Sequence, residues 1–211
     1  MPVIDLTYPM TADMPVYPGT PPPEIQSIAR LTDNGFRERR LTFCSHTGTH
    51  MDAPSHLLRG GKTLDQVPVD HFCGTGLCID TGIASGPIEW NALQRYQDDL
   101  SHCDFVLFRT GWGQYWGTSR YFHGYPVLSD AAATRLAECN LKGVGFDTLS
   151  VDKEDTVDYP VHRILLENHT LIIENVAHLD HLPTGCFDRI YCLPLHLADS
   201  DGAPARVVAF I

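Results

Sequence analysis

No C-x-x-C pair occurs in this chain, although it carries 7 cysteines. Cys44, Cys73, Cys78, Cys103, Cys139, Cys186 and Cys192 are odd in number and scattered. That argues against a disulfide framework and suits reduced, partly buried thiols in a cytoplasm. Basic residues are scarce, with 15 Lys and Arg against 26 Asp and Glu and a net charge of −11. A nucleic-acid partner needs a basic face, so none is expected, whereas clustered carboxylates attract cations. No apolar run approaches the ~18 residues that cross a bilayer. The opening "MPVIDLTYPM" lacks a basic segment followed by an apolar one, so neither a membrane partner nor a secretory signal is expected.

What is present suits a folded domain. The 211 residues are 43% apolar and 19% charged, enough to bury a sizeable core without disorder. With no repeat, low-complexity tract or linker-like charge run, residues 1–211 read as a single domain.

Strands and helices alternate along the chain. "MPVIDLTYPM" reads as a short strand leading into the proline-rich loop "DMPVYPGTPPPEI". "GTGLCIDTG", "DFVLFRTGW", "LKGVGFDTLS", "TLIIENVA", "RIYCLPLHLA" and "ARVVAFI" read as strands. "PIEWNALQRYQDDL" has helical spacing with Pro87 at its first position. "SDAAATRLAECN" is a helix capped by Ser129, and "YPVHRILLENH" a short one started by Pro160. Such alternation predicts an α/β fold.

The chemistry concentrates in "FCSHTGTHMDAPSH", residues 43–56. On an extended segment His46, Gly48, His50 and Asp52 share a face, with Gly48 leaving space between the ligand-type side chains. A helix would turn Asp52 away from the histidines. Pro54 breaks the run, so His56 approaches from beyond a bend, as suits a role behind the ligands or in catalysis rather than a fourth ligand on the same face. A polar strand edge is the bland alternative, and it accounts poorly for four such groups in so short a run. Imidazole with carboxylate suits zinc, iron or manganese.

A second clue lies downstream. Glu174 interrupts the β-branched run of "TLIIENVA", where an ionised carboxylate costs several kcal/mol unless paired or bound to a cation. His162 stands in the first turn after Pro160. His46, His50, His162, Asp52 and Glu174 together overfill a catalytic zinc with three protein ligands. If both carboxylates bridge, the same five residues serve two metals.

"HTGTHMDAPSH", with "VHRILL" and "IIEN" downstream, resembles the putative cyclase family of metal-dependent hydrolases, which includes bacterial kynurenine formamidase (arylformamidase) and isatin hydrolase. The resemblance runs from "DMPVYPG" through "TGWGQYW" and "GFDTLS" to "LPL". It implies a swivelling β/β/α domain with a mixed, partly barrel-like β core flanked by helices, usually a homodimer. By resemblance, His46, His50 and Asp52 hold the first metal, and Asp52 bridges to a second held also by His162 and Glu174. His56 matches the catalytic acid/base. Two zinc ions are the implied cofactor, with manganese as an alternative because isatin hydrolases resemble a one-metal manganese version. Where formamidases resemble "PVWPG", this chain has Tyr17 in "PVYPG", at the position of a substrate-pocket Trp.

The expected activity is metal-dependent hydrolysis of a carbon–nitrogen bond in an amide or cyclic amide, with N-formylkynurenine as the first candidate substrate. Alternatives are an isatin hydrolase-like, lactonase or dehydratase reaction on the same site, or a non-catalytic metal-binding protein. His71, His102, His123, His169, His178, His181 and His196 fit no ligand pattern. Trp112 and Trp116 sit in a Gly-rich loop of the kind that often carries binding groups, and packing is their simpler role.

Overall fold

The computed structural model describes residues 1–83 and 85–211. In chain order the strands begin with β1 (Val3–Asp5), β2 (Glu24–Ala29), β3 (Glu38–Thr42), β4 (His50–Asp52), β5 (Cys73–Asp80) and β6 (Pro87–Ile88). They continue with β7 (Phe105–Arg109), β8 (Val127–Leu128), β9 (Gly143–Phe146), β10 (Leu171–Glu174), β11 (Gly185–Pro194) and β12 (Gly202–Phe210). The α-helices are α1 (Leu31–Asn34), α2 (Trp90–Leu93), α3 (Gln97–Leu100), α4 (Asp130–Ala137) and α5 (Pro160–Glu167).

The main sheet runs β1-β12-β11-β5-β7-β9-β10-β4, and β4 pairs in addition with β12. That extra pairing closes the sheet on itself. β4 lies against Gly202–Pro204 of β12, while β1 takes the same edge further along, against Val208–Phe210. β5, β7, β9 and β10 are mutually parallel and their neighbours antiparallel, so the barrel is mixed. This is the α/β, partly barrel-like core that the sequence predicts.

Strand alternation separates two cores. Phe105, Leu107, Leu171 and Ile173 fill the barrel interior together with Met51, Val207 and Ala209. Val106, Phe108, Val144, Phe146 and Ile172 face outward beneath α4 and α5, against Ala133, Leu136, Leu165 and Leu166. Gly145 lets Leu107 pack close to β9, since a Cβ there would lie 2.5 Å from Leu107 Cδ2 and force it to shift.

Several local expectations hold. Ser129 caps α4, its side chain accepting from the Ala132 N–H, and Pro160 opens α5. The helix expected from Pro87 is broken instead. Pro87 and Ile88 pair with β8, and the rest is α2, a 3₁₀ turn over Gln94–Tyr96, and α3. Ile88 is fully buried there, and Glu89 offers no capping hydrogen bond, so strand pairing wins over helix initiation. The sequence reading also gave no strand over β2, which forms a hairpin with β3. β2 is mostly exposed, so burial imprinted no clear pattern on it, whereas β3 begins the β-branched, period-two stretch "RRLTFCSHTGTHMD".

Candidate metal centre

β4 and β10 set the register of the site. His50 lies opposite Glu174, Met51 opposite Ile173 and Asp52 opposite Ile172. Side chains alternate faces along a strand. Met51 therefore enters the barrel core, while His50, Asp52 and Glu174 share the other face. His50 Nε2 is 3.3 Å from Asp52 Oδ1 and 3.5 Å from Glu174 Oε2.

His46 reaches the same place by a different route. The extended run expected over 46–52 is confined to His50–Asp52, because the chain bends at Gly48, whose φ is 68. A Cβ at Gly48 would also stand 2.6 Å from Met14 Cε. His46 instead folds over Gly202, where a Cβ would lie 2.5 Å from His46 Cε1. Its Nδ1 is 2.6 Å from Asp52 Oδ1 and its Nε2 is 3.0 Å from Asp201 Oδ2.

His162 arrives from α5. Its Nε2 lies 3.3 Å from Glu174 Oε1 and 3.6 Å from Asp52 Oδ2. The opposite ring nitrogen is 2.7 Å from Asp152 Oδ2, and the Asp152 carboxylate also accepts from the backbone N–H groups of Val161 and His162. Asp152 thus fixes both the start of the helix and the direction of the ring. His56 closes the short 3₁₀ turn Pro54–His56, with its ring 4.0 Å from that of His46 and Nδ1 3.5 Å from Asp201 Oδ2.

These contacts assemble three three-donor groups, His46/His50/Asp52, Asp52/His162/Glu174 and the less buried His46/His56/Asp201, with each group's donor atoms within 4.8 Å of one another. Asp52 belongs to the first two. The donors suit a divalent transition metal in chemistry and in number. Two buried atoms among them, His50 Nε2 and Asp52 Oδ2, have no hydrogen-bond partner among the described residues. An orphaned buried polar atom costs about 1–3 kcal/mol, and a cation would satisfy both.

The charge balance follows from this crowding. Burial would lower the His46 pKa, but Asp52 and Asp201 outweigh it and raise it to about 9. Burial would raise the Asp52 pKa, yet His46, His50 and His162 hold it well below the carboxylate range. His162 is pushed upward by Asp152, Asp52 and Glu174 against the effect of burial. For His56 burial prevails, and its pKa is lowered.

The site opens into a cavity of about 240 Å³ lined by His46, His50, Asp52, His56, His162 and Glu174. Pro15, Tyr17, Leu57, Leu149 and Tyr159 form its apolar wall. Tyr17 is partly buried, and it also packs on a third cluster built from Trp112, Tyr121, Tyr125, Val127 and Leu149. Trp112 itself is buried, as the packing reading of that loop expects.

Sequence reasoning did not single out Asp152, Asp201 or Asn175. Asp152 stands in the loop "SVD" and Asp201 in "SDGAP", where an acidic residue carries no periodic signal. Asn175 directly follows Glu174 at a φ of 55, and that position next to a buried carboxylate was the one available cue.

A family model described as putative cyclase matches residues 4–153. The kynurenine formamidase of Bacillus thuringiensis (strain Al Hakam) is 31% identical over 206 residues, 97% of this chain and 95% of that protein. The kynurenine formamidase of Salinibacter ruber (strain DSM 13855 / M31) is 30% identical over 210 residues, 99% of this chain and 97% of that protein. A solved structure described as a potential metal-dependent hydrolase with cyclase activity is 30% identical, with a TM-score of 0.74 over 99% of this chain and 96% of its own. Isatin hydrolase A from Labrenzia aggregata shares the fold, with a TM-score of 0.87 at 23% identity over 99% of this chain and 93% of that one.

Proposed function

This chain belongs to the putative cyclase family, and from that premise we propose that it is a metal-dependent hydrolase of amide carbon–nitrogen bonds. The substrate class is an arylformamide or a cyclic amide, with N-formylkynurenine as the first candidate. The observation that carries this reading is the pair of three-donor groups sharing Asp52 on the floor of a cavity that also holds His56.

His46, His50 and Asp52 would hold one ion, and Asp52, His162 and Glu174 a second. Two zinc ions are the proposed complement, with manganese as the alternative. A divalent metal bound there supplies a polarised substrate carbonyl and a water whose pKa falls towards ~7. Asp152 keeps the His162 ring aimed, as carboxylates behind ligating histidines commonly do.

His56 handles the protons. Its lowered pKa leaves the imidazole neutral near pH 7 and therefore able to accept one. It takes a proton from the attacking water as the new carbon–oxygen bond forms. It then gives that proton to the nitrogen as the carbon–nitrogen bond breaks. With Nδ1 beside Asp201, Nε2 is the nitrogen assigned to this exchange.

Tyr17 is proposed to stack on a flat substrate within the apolar wall. Pro15, Pro18 and Gly19 frame its loop, which limits the entropy lost in holding the ring. The reading takes residues 1–211 as one domain of a cytoplasmic homodimer. Exposed Ile28, Phe36 and Leu41 on the β2–β3 hairpin support association with a second copy.

Metal analysis of protein purified without chelator, joined to a hydrolysis screen of formamides, cyclic imides and lactones, tests this. Bound zinc or manganese with turnover of an amide is the expected result. Full activity in metal-free protein, or a preference for lactones, would overturn the reading.

A further inference from the structure

The geometry points to Asn175 and Tyr121 as a positioning pair for His50, an inference that rests on the metal-dependent reading above. Asn175 is buried at 4% exposure and holds a left-handed φ of 55, which asparagine tolerates better than most residues. Each of its four polar groups is engaged. Its N–H donates to the Thr148 carbonyl at 3.0 Å, and its carbonyl accepts from Thr49 Oγ1 at 2.6 Å. Its Nδ2 donates to the Gly48 carbonyl at 2.9 Å, and its Oδ1 accepts from the Tyr121 hydroxyl at 2.7 Å.

The Gly48 carbonyl joins Asn175 to His50. It also accepts from His50 Nδ1 at 2.8 Å. A carbonyl has no proton to give, so Nδ1 carries the hydrogen, and in the neutral ring Nε2 keeps its lone pair. Nε2 is the buried, partnerless atom facing Asp52 and Glu174. Asn175 and His50 thus share one acceptor, and moving that carbonyl moves the imidazole.

Tyr121 decides which way the amide faces. Its hydroxyl donates to Oδ1, which leaves Nδ2 turned towards Gly48. Tyr121 is itself fully buried, its carbonyl accepting from Trp112 Nε1 at 3.0 Å and its ring edge-on to Trp116 at 5.1 Å. The aromatic loop therefore reaches His50 through three hydrogen bonds, without touching an ion.

Two variants of the full-length protein test this. Tyr121→Phe removes only the hydroxyl. Asn175→Asp keeps shape and acceptor but sets an oxygen against the Gly48 carbonyl. Zn²⁺ affinity is measured by competition with a chromophoric chelator, and the His50 tautomer by imidazole ¹⁵N shifts in metal-free protein. Asn175→Asp should weaken Zn²⁺ binding by about ten- to a hundredfold, the usual effect of losing an outer hydrogen bond to a ligand. That loss runs against the added negative charge, which alone would tighten binding. Tyr121→Phe should shift both readouts the same way, by less. Tyr125→Phe, which removes another buried hydroxyl of the same cluster but one with no partner, should shift neither. A single wild-type tautomer unchanged in both test variants overturns the inference, even where one of them melts lower. Wild-type protein that binds no Zn²⁺ would instead sink the metal reading, while the tautomer measurement still decides the role of Asn175.

Discussion

Glu174 faces His50 across the β10–β4 pair, with Oε2 3.5 Å from His50 Nε2 and Oε1 3.3 Å from His162 Nε2. One carboxylate therefore reaches a histidine on a strand and a histidine on a helix, and it does so while buried. Replacing it by a neutral amide removes the charge that offsets a cation. Glu174→Gln should lower metal affinity by at least about tenfold, read by metal content after dialysis. Unchanged content would show that Glu174 is no ligand.

His56 lies beside the donors but belongs to neither Asp52-containing group. His56→Ala should leave metal content near that of wild type and reduce kcat by about 10²–10⁴, the usual share of a general acid/base. Loss of metal in this variant would make His56 a ligand instead.

Tyr17 lines the cavity and leans on the aromatic cluster, so its two roles separate experimentally. Tyr17→Ala should raise KM for the preferred substrate with little change in metal content or Tm. Tyr17→Trp should shift relative activity towards N-formylkynurenine. A lower Tm with KM unchanged would assign the ring to packing alone.

Gly202 tests the site with a single added methyl group. A methyl group there would meet the His46 ring at 2.5 Å, and that ring has no flexible end to yield. Gly202→Ala should displace His46 and weaken Zn²⁺ binding by about ten- to a hundredfold, while the far-ultraviolet circular dichroism stays that of wild type. Tight binding would show that the His46 ring moves aside freely.

Asp104 offers a pH test away from the cavity. Partial burial would raise its pKa, but the Thr75 N–H at 2.8 Å and the Lys142 ammonium at 3.2 Å outweigh this and lower it. A carboxyl lowered on folding stabilises the native state above its unfolded value of about 3.9 and loses that contribution as pH falls. The stability gap between wild type and Asp104→Asn, read by urea unfolding, should therefore be largest near pH 7 and shrink below about pH 4. A gap that widens in acid would reverse the sign of the shift.

The local sequence made much of this site legible. His50 and Asp52 share a strand face because side chains alternate, and Glu174 stood out as a charge in a β-branched run. His46 was drawn to the same face by parity, yet its ring is placed by a bend at Gly48 and by the absence of a side chain on Gly202, a residue of the last strand. Asp152, Asp201 and Asn175 were invisible. Asp201 and Asn175 have partners on other elements that only the closed sheet brings within reach. Asp152 meets His162 just 10 positions on, and was missed because a loop carboxylate carries no periodic signal. Of the β2–β3 hairpin, β3 was legible in the β-branched, period-two stretch that begins at Arg39, whereas β2 buries too little to select a pattern.

Sheet closure has one more consequence, which concerns the order of events in folding. The strand bearing His50 and Asp52 is three residues long, and it is the seam that joins β10 to β12. His46 and Asp201, which meet at that seam, are 155 positions apart. Loop-closure cost rises only slowly with separation, but pairings this distant tend to close after those nearer in sequence. The donor cluster, like the still more distant β1–β12 pair, is then expected among the late closures of the barrel. An ion bound there acts as a rivet across the seam, coupling the catalytic state of the protein to the integrity of its whole sheet.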